Sequence, residues 1–198
     1  MGWRRGWRRW RRRFIASHEM SVPKKPAHAI EVFLQPGELW FGDGHTRIRT
    51  TLGSCVAVTL WHPGRGIGGM CHYMLPGRVR GNGRVQDGRY GDEALGLLVK
   101  EMKAARSHPN EYEAKLFGGG HMFQRSFRTV KDFSGQVPDR NIAAGRELVQ
   151  GHGFMVKAEQ LGGCGHRHVI FDIWSGHVWV KHTPLPETVR CSTEENPQ

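Results

Sequence analysis

The most restrictive stretch of this 198-residue chain is CVAVTLWHPGRGIGGMCHYMLP (55–76), two short apolar runs separated by His62-Pro63-Gly64-Arg65-Gly66. Runs this short, continuous rather than periodic and stopped by proline and glycine, read as strands and leave no room for a helix. Residues 55–63 and 66–76 are therefore expected to pair as a hairpin. Cys55 and His72 then fall on adjacent strands.

The same reading extends along the chain. AIEVFLQPGELWFG (29–42) mixes apolar residues with a Pro-Gly turn, and TRIRTTL (46–52) alternates, so both take strand character. GRVRGNGRVQDGRYG (77–91) reads as a mobile glycine- and arginine-rich loop. Asp92–Arg106 carries Ala94, Leu97, Leu98, Met102 and Ala105 at helical spacing, with acids early and bases late. EYEAKLFGGG (111–120) reads as a strand breaking into glycines, and Asp139 as the cap of a helix over Arg140–Gly151. FMVKAEQL (154–161) is a strand, and HVIFDIW-SG-HVWVKH (168–182) a hairpin about a two-residue Ser-Gly turn. The result is a mixed α/β (α+β) series in one domain over 29–182, with a tail and linker at 1–28 and a polar tail at 183–198.

Charge sharpens this division. The net charge is +11, yet residues 1–13 hold seven arginines and no acid, which leaves +4 on the rest. The basicity belongs to a tail, so the domain is not read as a nucleic-acid binder. Trp3, Trp7, Trp10 and Phe14 recur at offsets of four, three and four, the stripe of a basic amphipathic helix, so any membrane contact is expected through this tail alone. Met20 is an alternative start, which would make residues 1–19 upstream sequence. No apolar run approaches the 18 or so residues of a bilayer span, no secretory h-region follows the arginines, and a cytoplasmic location is expected. Four cysteines in that setting are read as free thiols, metal ligands or catalysts, with disulfides the less favoured use.

Two chemistries compete for these side chains. A cysteine nucleophile needs its proton removed, and a histidine across a hairpin can take it and return it to a leaving amine. Against this stands a core thiol with an unrelated imidazole, a common fate of cysteine. Zinc is the second chemistry, with Cys71-His72 and Cys164-Gly165-His166-Arg167-His168 as donors, but neither cluster has the paired spacing of a structural site, and no metal is expected. The Gly68-Gly69, Gly118-Gly119-Gly120 and Gly162-Gly163 steps lack a phosphate-binding signature. They serve either close backbone approach or tight turns.

TTLGSCVAVTLWHPGRGIGGMCHYMLP (50–76), KLFGGGHMF (115–123), RNIAAGRELVQGHG (140–153) and LGG (161–163) together resemble the CheD family of chemoreceptor glutamine deamidases. The resemblance runs from about residue 29 to 181. It implies a layered β-sandwich with flanking helices, similar to the catalytic domains of deamidating toxins. It also implies a cysteine-dependent hydrolase that converts glutamines of methyl-accepting chemotaxis receptors to glutamate, working near membrane-bound receptor arrays without a cofactor. By position, the nucleophile falls on Cys55, the general acid and base on His72, and an assisting hydroxyl on Thr50, with Thr51 its rival. Gly53 and Ser54 are expected to bind substrate beside the oxyanion, and Gly118, Gly119, Gly120 and His121 to line its groove. A CheC-type phosphatase is the partner implied, and a non-enzymatic regulator of that phosphatase is the competing function.

Overall fold

The structure, a computed structural model, describes residues 24–78, 85–122 and 136–186. Most of the expected N-terminal tail, the stretch at 79–84 and the chain beyond residue 186 lie outside them.

Nine strands and two α-helices are found among the described residues. They run β1 (Ile30–Phe33), β2 (Leu39–Gly42), β3 (Thr46–Leu52), β4 (Val56–His62), β5 (Ile67–Tyr73), α1 (Gly91–Ala104), β6 (Glu113–Gly118), α2 (Val137–Gly151), β7 (Met155–Leu161), β8 (His166–Asp172) and β9 (His177–Thr183). One sheet has the order β1-β3-β8-β9 and the other β2-β5-β4-β6-β7. The expected sandwich with flanking helices is therefore present, and β4 and β5 form the expected antiparallel hairpin.

Burial explains why the 55–76 block is so uniformly apolar. The inner face of the five-stranded sheet meets the other sheet through Ile48, Leu52, Ala57, Met70, Phe117 and Phe171. Its outer face meets the helices, where Val58, Leu60, Cys71 and Tyr73 pack with Leu95, Leu98 and Met102 of α1 and Val149 of α2. A sheet covered on both faces carries continuous rather than alternating hydrophobic strands. β3 has one face exposed and alternates instead: Ile48, Thr50 and Leu52 are buried while Arg49 and Thr51 are exposed.

Three expectations are corrected. The second helix begins at Val137, so Asp139 lies in its first turn rather than at its cap. Pro138 suits that turn because its missing N–H has no intrahelical partner to lose, and the acid there favours the helix dipole. The last hairpin turns over four residues, 173–176, since Asp172 pairs with His177. The Asp172 carbonyl accepts from the N–H groups of Ser175 and Gly176 at 3.2 and 2.8 Å. Ile173 is drawn into the inter-sheet core, its carbonyl accepting from Trp61 Nε1 at 2.8 Å. Finally, Cys164 is disulfide-bonded, whereas Cys55 and Cys71 are free. Which sulfurs meet depends on spatial separation, and composition alone carries no information about that.

A buried ion pair spans β3 and β8 of the four-stranded sheet. Arg47 Nε and Nη2 donate to the two carboxylate oxygens of Asp172 at 2.6 and 2.9 Å, and Trp179 Nε1 donates to the same group at 3.2 Å. Both side chains are almost fully buried. Removing the acid takes a bidentate counterion from a buried guanidinium, so Asp172→Ala is expected to cost about 3–5 kcal/mol of folding free energy. Urea denaturation measures it, and a loss below about 1 kcal/mol would show the pair to be solvated in solution.

Candidate active site

The β4–β5 register fixes which side chains share the inner face. Ala57 lies opposite His72, and Val56 opposite Tyr73. Cys55 immediately precedes β4 and packs on the inter-sheet core with Ala57. It thus stands one residue beyond the last rung, on the face that Ala57 shares with His72. Cys71 points to the other face, into the helix-side core. There it is fully buried, and burial pushes its thiol up to about 12. The adjacent Cys71 and His72 therefore diverge rather than converge.

Thr50 reaches His72 from the opposite sheet. Its Oγ1 lies 2.8 Å from His72 Nδ1 and also donates to the Leu34 carbonyl at 2.8 Å. A hydroxyl has one proton. With that proton committed to Leu34, the oxygen accepts from the imidazole, so Nδ1 carries the ring proton and Nε2 presents a lone pair. Nε2 has no hydrogen-bond partner among the described residues, although it is buried. Thr51 instead faces outward and meets His168 Nδ1 at 3.0 Å. Only Thr50 therefore touches His72.

The electrostatics favour neutral groups. Burial lowers His72 to about 4, against the opposing pull of the Leu34 carbonyl and Glu38. Burial also raises the half-buried Cys55 thiol above its ordinary value, with hydrogen bonding to Ser54 working the other way. At neutral pH the resting site thus holds a thiol and a neutral imidazole, not a preformed ion pair.

The glycine loops brace this arrangement. Gly119 N–H donates to the Cys55 carbonyl at 2.7 Å and Gly120 N–H to the Gly53 carbonyl at 2.8 Å. Gly118, at φ 112°, has no room for a side chain, because a Cβ would stand 2.2 Å from the Cys55 carbonyl oxygen. Behind them, Gly162 N–H donates to the Gly118 carbonyl, and His121 Nε2 lies 3.2 Å from Asp139 Oδ1. Met122 covers the open face of Gly53. Ser54 shares its carbonyl with a residue absent from the expectations above: Asn141 of α2, fully buried, whose Nδ2 donates to both Ser54 and Met74 carbonyls at 3.0 and 2.8 Å. A polar residue in the stripe Pro138, Asn141, Gly145, Val149 is the signal that marks it.

A pH consequence follows from His72. Because its folded value lies below the ordinary histidine value near 6.5, the unfolded chain takes up this proton first as pH falls, and stability is lost between about pH 6.5 and 4. Nitrogen-15 NMR of the ring is expected to show the Nδ1–H tautomer down to about pH 5. A ring protonated at pH 6 would contradict this environment.

The family model and the curated relatives point to the same family. The family model described as CheD chemotactic sensory transduction matches residues 74–182, beginning two residues after His72. The probable chemoreceptor glutamine deamidase CheD of Pseudomonas syringae pv. tomato is 47% identical over 165 residues, covering 83% of this chain and 96% of that one. The probable chemoreceptor glutamine deamidase CheD 3 of Dechloromonas aromatica is 47% identical over 155 residues, covering 78% and 89%. A span of 83% of 198 residues necessarily includes 50–76. Among solved structures, Bacillus licheniformis hypothetical protein YfiH aligns at 13% identity with a TM-score of 0.38, over 63% of this chain and 51% of that one.

Proposed function

The chain belongs to the CheD family, and on that footing we propose that it is a protein-glutamine deamidase of methyl-accepting chemotaxis receptors, with Cys55 as nucleophile and His72 as general base and acid. The observation that carries this reading is the Thr50–His72 hydrogen bond. It holds the proton on Nδ1 and leaves an unpartnered Nε2 on the face that Cys55 shares.

Each step has a residue to perform it. His72 Nε2 takes the thiol proton as Cys55 Sγ attacks the side-chain carbonyl carbon of the glutamine, and the developing oxyanion is held by backbone N–H groups at Gly53–Cys55. The imidazolium, stabilised by Thr50 Oγ1 and the Leu34 carbonyl, returns the proton to the departing nitrogen. Ammonia leaves a thioester, and His72 then deprotonates the water that releases glutamate and restores the thiol. The thiol and imidazole recover their protons over the cycle, and at neutral pH the proton of the product acid is taken up by the released ammonia. The Gly118–His121 loop, tied to the nucleophile's backbone, forms one wall of the groove that admits the glutamine.

Mass spectrometry of a receptor cytoplasmic fragment tests the reading. Wild type is expected to convert selected glutamines to glutamate, Cys55→Ala to show no conversion, His72→Ala to lose about 10²–10⁴-fold, and Cys71→Ala to turn over normally. Thr50→Val is expected to lose on the order of 10²-fold in kcat by releasing the tautomer, with Thr51→Val unaffected. Tight binding of a CheC-type phosphatase with no receptor modification would favour the regulatory function instead.

The thiol gives a second measurement. The rate of Cys55 alkylation by iodoacetamide is expected to rise with pH through a midpoint above the ordinary cysteine value, because burial disfavours the thiolate. A rate already at its plateau below neutral pH would mean a thiolate–imidazolium pair.

A further inference from the structure

We propose that Asn141 is a positioning residue that holds the Cys55 and His72 strand ends together for proton transfer, an inference that rests on the deamidase reading above.

Ladder pairing between β4 and β5 ends at Val56 and Tyr73. Beyond that rung stand Ser54-Cys55 on one strand and Met74 on the other, and nothing in the ladder fixes their separation. Asn141 Nδ2 supplies the missing rung by donating to the carbonyls of Ser54 and Met74 at once. The residue before the nucleophile and the second residue after the base are thereby joined through one nitrogen. A rotated amide would turn its oxygen toward both carbonyls, so the hydrogen bonds fix its orientation. An amide nitrogen brings two planar donors to this point without a charge, which a lysine cannot do.

Docking of the helix does not depend on this side chain. The Tyr73 hydroxyl donates to the backbone carbonyl of Asn141 at 2.7 Å. Gly145 seats the same hydroxyl so closely that a Cβ would stand 2.5 Å from it. Neither contact uses the Asn141 side chain. The clamp can therefore be removed while α2 stays in place.

A double-mutant cycle on Cys55 alkylation, free of any need for receptor, tests the role. In wild type, His72→Ala is expected to slow alkylation at neutral pH by about tenfold or more. In the Asn141→Asp background, where an acceptor faces the two carbonyls, the same change should alter the rate by less than about twofold, because the pair is already uncoupled. Asn141→Ser, with one donor left, should fall between and serves as the milder variant for folding. On receptor, both are expected to lower kcat with KM unchanged, which a general loss of stability would not produce below the melting transition. A His72 effect that survives intact in the Asn141→Asp background overturns the positioning role alone. A wild type indifferent to His72→Ala overturns the Cys55–His72 pairing and the inference with it.

Discussion

The hydrogen bond between Thr50 and His72 joins the two sheets at the point where the sandwich interior gives way to chemistry. The inner face of the five-stranded sheet is largely apolar near this point, and an imidazole placed among Ala57, Met70 and Leu52 needs a partner for its ring proton. Thr50 supplies it from β3, and Leu34 from the end of β1 takes the proton of Thr50 in turn. The relative placement of the two sheets thus decides the tautomer of one histidine. Residues 55–76 alone cannot do so, because both partners lie outside them.

Much of the architecture was legible because burial writes itself into residue patterns. The doubly covered strands β4 and β5 read as unbroken apolar runs, and α1 read as a helix from its apolar spacing. Thr50 and Thr51 are rivals in their local sequence, and the alternation of Ile48, Thr50 and Leu52 separates them by face. Asn141 escaped notice because its role depends on two carbonyls more than sixty residues away in sequence. The four-residue turn at 173–176 was hidden for a similar reason: Ser-Gly is a good local turn, but the core captures Ile173 and widens it. The start of α2 and the disulfide at Cys164 likewise depend on surroundings that no short motif encodes.

Neutral resting groups have a mechanistic logic in such a place. A thiolate and an imidazolium held in a low-dielectric interior would each carry a desolvation cost before substrate arrived. Under the deamidase reading, keeping both neutral defers charge separation to the moment of attack. Under the deamidase reading, the Thr50 oxygen and the Leu34 carbonyl would then face the cation that forms on His72, already oriented and needing no reorganisation.

The tie between Gly119 and the Cys55 carbonyl sets the depth of the Cys55 thiol. The Cys55 backbone is tied to the loop after β6 through the Gly119 N–H, so under the deamidase reading the nucleophile does not rise to meet a shallow substrate. Under the deamidase reading, a side-chain amide has to descend to a fixed level from whatever helix carries it. Asparagine is one methylene shorter than glutamine and would hold its carbonyl above the sulfur. The fold would then select between two chemically identical amides by reach, a ruler made of backbone rather than a pocket made of side chains.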